Sequence, residues 1–147
     1  MGYGVWDRAC DAGVTARWYR HRMPSTRTNF RKLDVWHDGI ELVAEVYRVS
    51  AQFPKDERYG LTAQIRRAAV SVPSSIAEGY GRATRGEYLN ALSVAAGSLN
   101  EVETLLAVCL SLGVGNQSEL DALTSQTTTL QKRLARLRTT LKQRKGA

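Results

Sequence analysis

Apolar residues recur every three or four positions along four stretches of this chain, and that spacing predicts four amphipathic helices. In the first stretch Trp36, Ile40, Val43 and Tyr47 form one stripe, which Leu42, Val46, Val49 and Phe53 widen. With Asp34 as its N-cap, the stripe gives a helix over about 35–52 that ends at Phe53-Pro54. Asp56 and Glu57 then set negative charge at the start of a second helix, where the helix dipole favours it. That helix runs over about 57–78 on the stripe Leu61, Ile65, Ala69, Val72 and Ile76, with Gly79 and Gly81 to terminate it. Thr84 and Glu87 have the form of a capping box and open a third helix on Tyr88, Leu92, Ala95, Leu99, Val102, Leu106 and Cys109. Gly113 and Gly115 close it. Asn116 and Glu119 offer a second capping box, after which Leu120, Leu123, Thr127, Leu130, Leu134, Leu137 and Leu141 alternate spacings of three and four.

Two positions depart from the regular pattern. Pro73 falls inside the second stripe, where a proline removes one hydrogen bond and crowds the carbonyl of Ala69 at a cost of about 3 kcal/mol. The unbroken stripe predicts a helix kinked at Pro73, with Ser71, Ser74 and Ser75 offering hydroxyls to freed backbone groups and Ala68, Ala69 and Ala77 admitting a close neighbour. The alternative is a new helix starting at Pro73 after a loop at Ser71 and Val72, since the residue before a proline favours extended geometry. In the third helix, Gly97 within Ala95-Ala96-Gly97-Ser98 costs about 1 kcal/mol relative to alanine, which predicts close backbone approach there. Four helices with short connections make an all-α, antiparallel up-down-up-down four-helix bundle over residues 29–145.

Residues 1–28 carry no sustained periodicity and read as an N-terminal arm. Trp6, Trp18 and Tyr19 among arginines suit the stacking and phosphate contacts of single-stranded nucleic acid. A disordered extension, or a true start at Met23, fits the same composition.

Charge sharpens this picture. The chain of 147 residues has a net charge of +7, and residues 132–147 contain seven basic side chains and no acid. An anionic partner meets the basic termini first. Cys10 and Cys109 are far apart in dissimilar sequence, which favours a reduced, cytoplasmic protein over a disulfide framework. The longest apolar run, Leu105 to Leu112, is too short to span a bilayer, and no membrane partner is expected. Neither histidine, His21 or His37, sits in a Glu-x-x-His pair, so no metal or other cofactor is expected. Ser71, Ser74 and Ser75 have no lysine or histidine at motif spacing to act as a base, and Glu78 pairs by default with Arg82 four residues on. The expectation is a protein that is not an enzyme.

Three segments carry a resemblance: LDVWHDGIELVAEVY, FPKDERYGLTAQIRRAAVSVPSSIAEGYGR and EYLNALSVAAGSLNEVETLL. They resemble the four-helix bundle proteins first noticed in intervening sequences of bacterial large-subunit ribosomal RNA, across about Phe30 to Leu141. Trp36, Arg66-Arg67, Pro73, Ala77-Glu78-Gly79 and Gly97-Ser98 are the specific positions, and Ser75 departs from the asparagine more usual there. The resemblance implies a ring-like homopentamer. It also implies distant kinship with the accessory variability determinant of diversity-generating retroelements, a basic pentamer that binds nucleic acid and a reverse transcriptase. Arg66, Arg67, Arg82 and Arg85, with Lys132, Arg133 and Arg136, are the candidate phosphate-binding residues, while Pro73 and Gly97 serve the kink and packing. No base-reading motif is present, so binding of RNA or DNA carries little sequence preference. The alternative function is a scaffold that recruits a partner protein, its charges serving solubility alone.

Overall fold

A computed structural model describes residues 29–144 of the chain. The arm, with Trp6, Trp18, Tyr19 and Met23, lies outside the described residues. Four helices make up the fold: α1 (Asp34–Ser50), α2 (Leu61–Tyr80), α3 (Arg85–Leu112) and α4 (Gln117–Gln143). Short 3-10 turns at Phe30–Lys32 and Lys55–Glu57 precede α1 and α2, and the described residues contain no strand. Each helix packs on its neighbours in sequence, and α1 packs on α4 to close the bundle. Cross-helix pairs run in opposite sequence order. Asp38 and Arg48 of α1 meet Arg133 and Glu119 of α4. On α2, Ser71 meets Ser98 of α3, while Gly79 abuts Ala91.

On α2, α3 and α4 the core-facing stripes follow the predicted periodicity, whereas on α1 the buried face is Trp36, Leu42, Val46 and Val49, and Ile40, Val43 and Tyr47 are only half-buried. Leu42 and Val46 on α1, Ile65, Val72 and Ile76 on α2, Leu92, Leu99 and Leu106 on α3, and Leu120, Leu130 and Leu134 on α4 form one core. Each large side chain so buried contributes about 1.5–3 kcal/mol relative to exposure. Thr127 takes its place in the α4 stripe fully buried, its hydroxyl donating to the Leu123 carbonyl at 2.8 Å. By length and composition alone α3 could cross a membrane, but Leu92, Leu99, Leu105 and Leu106 lie in the bundle core, as in the core helix of a bundle.

Helix starts differ from expectation at α1, α2 and α4. Asp34 is the first helical residue of α1 and not its cap; Leu33 holds the N-cap position without a side-chain bond. The second helix starts at Leu61 because residues 55–57 form a 3-10 turn, from which the Glu57 carboxylate accepts the Leu61 N–H at 3.1 Å. The Thr84–Glu87 capping box forms in both directions. At the start of α4, Asn116 Oδ1 accepts the Glu119 N–H at 3.1 Å, but the Glu119 carboxylate turns to Arg48, 2.7 Å away. Gly113 closes α3 in the left-handed conformation that only glycine adopts cheaply.

Helix α2 runs unbroken through Pro73 to Tyr80, so no new helix begins at the proline. Pro73 is buried against α1, where a Cβ added to Gly39 would sit 3.3 Å from its ring. The serines near it serve other partners: Ser74 donates to the Val70 carbonyl at 2.8 Å, and the Ser71 and Ser98 hydroxyls pair at 2.9 Å. Close approach between α2 and α3 occurs at Gly79 and not at Gly97. A Cβ on Gly79 would lie 2.6 Å from Ala91 Cβ, whereas Gly97 is exposed with nothing within 4 Å of that position. Gly79 therefore lies inside α2, and Gly81 is its C-cap.

Cys109 is fully buried in α3, and burial, reinforced by the charge of Glu57, pushes its thiol above the usual range. Because the raised value belongs to the folded state, this stability is fully present below the unfolded thiol pKa of about 8.5 and is lost as pH rises through the folded value. In a Cys10→Ser background, N-ethylmaleimide should leave Cys109 unmodified at pH 7 and label it only as the protein unfolds. Rapid labelling of folded protein would contradict the burial.

Candidate functional site

The short connection between α2 and α3 and the C-terminal half of α4 meet at one end of the bundle. Arg85 donates to the carbonyl of Arg144, joining two basic segments that are 59 residues apart in sequence. The basic residues of α4 leave the helix in three directions because their spacing steps around it. Arg133 turns to α1 and pairs with Asp38 at 2.6 Å, and that carboxylate raises its guanidinium pKa further above an already high value. Arg138 turns to α3, its Nη2 donating to Ser93 Oγ at 2.9 Å. Lys132 and Arg136 are exposed on the outer face. A shallow groove between α3 and α4 is lined by Gly86, Glu87, Asn90, Ser93, Arg138 and Lys142, with Leu89 among them.

The seven expected phosphate-binding residues are thus not one cluster. Arg66 lies near the start of α2 and about 24 Å along the helix from Arg82, at about 1.5 Å per residue. Its guanidinium stacks over the Tyr47 ring at 4.5 Å and donates through Nε to Ser50 Oγ at 2.8 Å. Arg66 therefore fastens α2 to α1, a role its sequence context conceals, while Arg67 beside it is exposed. Arg82 pairs with Glu78 one turn back, as the spacing predicts. Arg85, Lys132 and Arg136 remain at or near the basic end, joined there by Arg138, Lys142 and Arg144. The i, i+4 spacing of Arg138 and Lys142 is the sequence signal that places both on one face of α4.

Among the described residues no group of three or more His, Cys, Asp or Glu side chains is placed to hold a metal ion. His37 is held through Nε2 to the Arg31 carbonyl and edge-on against Trp36. Ser71, Ser74 and Ser98 are spent on one another or on backbone carbonyls. What the exposed arrangement offers is several cationic donors at one end of a helical bundle, a chemistry suited to holding anions.

Comparison with known proteins agrees with the fold. A crystal structure of a protein of unknown function from the S23 ribosomal protein family of Bacteroides thetaiotaomicron superposes with a TM-score of 0.63 at 19% identity, covering 70% of this chain and 96% of that one. No curated protein matches the sequence significantly. Residues 31–136 match the family described as 23S rRNA-intervening sequence protein. That match takes in α1, α2, α3 and most of α4, and the chain belongs to the 23S rRNA-intervening sequence protein family.

Proposed function

We propose that this protein is a non-enzymatic, homo-oligomeric nucleic-acid-binding protein that holds the phosphate backbone of RNA or DNA with little sequence preference. The observation that carries this reading is the contact of Arg85, the first residue of α3, with the Arg144 carbonyl, which brings the basic start of α3 to the basic end of α4. The family's description, which refers to 23S rRNA, is in keeping with an RNA partner. Self-association has its own support in exposed apolar residues on the outer sides of α2 and α3. Val94 is 55% exposed on α3 beside the open Gly97, and Val70 is 40% exposed on α2; a helix apolar on more than one side is normally covered. The pentamer implied by the resemblance would repeat the basic end five times, letting modest contacts act together. A cytoplasmic setting belongs to the same proposal.

The test is a titration of labelled single-stranded RNA and DNA at low and at physiological salt, with light scattering on the same sample. The expected result is binding that weakens steeply with salt and a mass several times 16.3 kDa. A monomer that retains neither RNA nor DNA at low salt would overturn the reading. The scaffold alternative would then be favoured by Tyr59 and Leu112, 87% and 65% exposed at the opposite end.

A further inference from the structure

The groove between α3 and α4 has a charge balance of its own. Glu87, Asn90 and Ser93 recur every third residue on α3, and Arg138 and Lys142 face them from α4. Ser93 spends its proton on the Leu89 carbonyl at 3.0 Å, so its oxygen accepts from Arg138 and fixes the guanidinium over the groove. The Arg138 Nε–H is buried without a partner. Lys142 and Asn90 are exposed at the rim. The single acid lining the groove, Glu87, is held by the backbone N–H and hydroxyl of Thr84 at 3.1 and 2.8 Å. Two cations against one carboxylate leave one net positive charge.

A phosphodiester carries one negative charge, whereas a phosphate monoester carries about −1.5 to −2 at neutral pH. We propose that this groove seats a single phosphodiester of a nucleic-acid strand, with Arg138 and Lys142 donating to its non-bridging oxygens, the Asn90 amide at the rim and Ser93 as positioning residue. The proposal rests on the nucleic-acid-binding reading above and adds the seat and the charge of the ligand. The Glu87 carboxylate does not donate, and its charge disfavours a dianion in the same place. Free phosphate and a nucleotide's terminal phosphate are the competing sources of the same chemistry.

The experiment uses the full chain, a fluorescent single-stranded uridine 20-mer, and anisotropy at several salt concentrations. Lys142→Gln should weaken binding about fivefold at 0.1 M salt and reduce the slope of log K against log salt by about 0.7, the value for one phosphate contact on a single strand. Ser93→Ala should weaken binding while leaving the salt slope unchanged, because both charges remain. Lys55→Gln, in the turn at the opposite end, should match the wild type. Inorganic phosphate should displace the RNA no better than chloride at equal ionic strength. If the wild type binds and Lys142→Gln matches it in affinity and slope, the groove is wrong and the broader reading stands. If phosphate competes beyond its ionic strength, the site takes the free anion and the diester assignment is overturned. Absence of wild-type binding at low salt would end both. Lys142 is exposed, so an unchanged melting curve for Lys142→Gln is expected and separates loss of contact from loss of fold.

Discussion

Replacing Gly79 with valine should lower stability by about 3 kcal/mol, the upper end for overpacking, and the melting temperature by roughly 10 °C. The new Cβ would fall 2.6 Å from Ala91 Cβ and 3.0 Å from the Tyr88 ring. Alanine has no rotamer to move, so α3 itself must give way. Movement of α3 loosens Val72, Ile76, Leu92 and Leu99 together, because all four are fully buried in the same core. The opposite substitution provides the control. Gly97→Ala meets no atom within 4 Å and should raise stability by about 1 kcal/mol through helix propensity alone. Circular dichroism melts of the two variants decide the matter: equal melting temperatures would mean that α2 and α3 are not held at Gly79. A larger residue at Gly97 that changes the mass in light scattering, with no change in helix content, would locate a second copy on that face.

Neutralising Arg82, Arg85, Lys132 and Arg136 together to glutamine should reduce nucleic-acid affinity by about two to three orders of magnitude at 0.1 M salt, if each charge holds one phosphate. The loss should be uniform across sequences, since none of these residues belongs to a base-reading motif. Arg82→Gln also leaves Glu78 without its partner, which adds a negative charge to the surface. Arg66→Gln should behave differently. It removes the stack on Tyr47 and the bond to Ser50, so it should lower the melting temperature and leave the salt slope intact. A quadruple variant that binds like the wild type would remove the basic end from the function.

Most of the local signals are legible from sequence, the Asp34 cap and the Gly79 stop excepted, and the pairings between helices are not. The stripes of α2, α3 and α4, the Thr84–Glu87 box and the Gly113 stop depend on residues within one turn of each other, and the structure keeps them all. Glu119 has the spacing of a capping residue, yet it reaches Arg48 on another helix because a charged partner outweighs a backbone amide. The same blindness separated Gly79 from Gly97. A glycine inside a helix signals close approach, but the stripe alone does not reveal which neighbour arrives at which height. At the site, the basic tail was visible as composition. Its division among Asp38, Ser93 and open solvent required the bundle, as did the removal of Arg66 to the far end.

The contact of the Pro73 ring with Gly39 ties two positions 34 residues apart to one allowance of space. A Cβ added at 39 would lie 3.3 Å from the proline Cβ, close enough that one of the two must give by a few tenths of an ångström. Relief at one site without the other gains little, because alanine at 73 restores the helix hydrogen bond but opens a gap beside a residue with no side chain to fill it. The two positions therefore form one packing unit, whose substitutions couple in stability instead of adding.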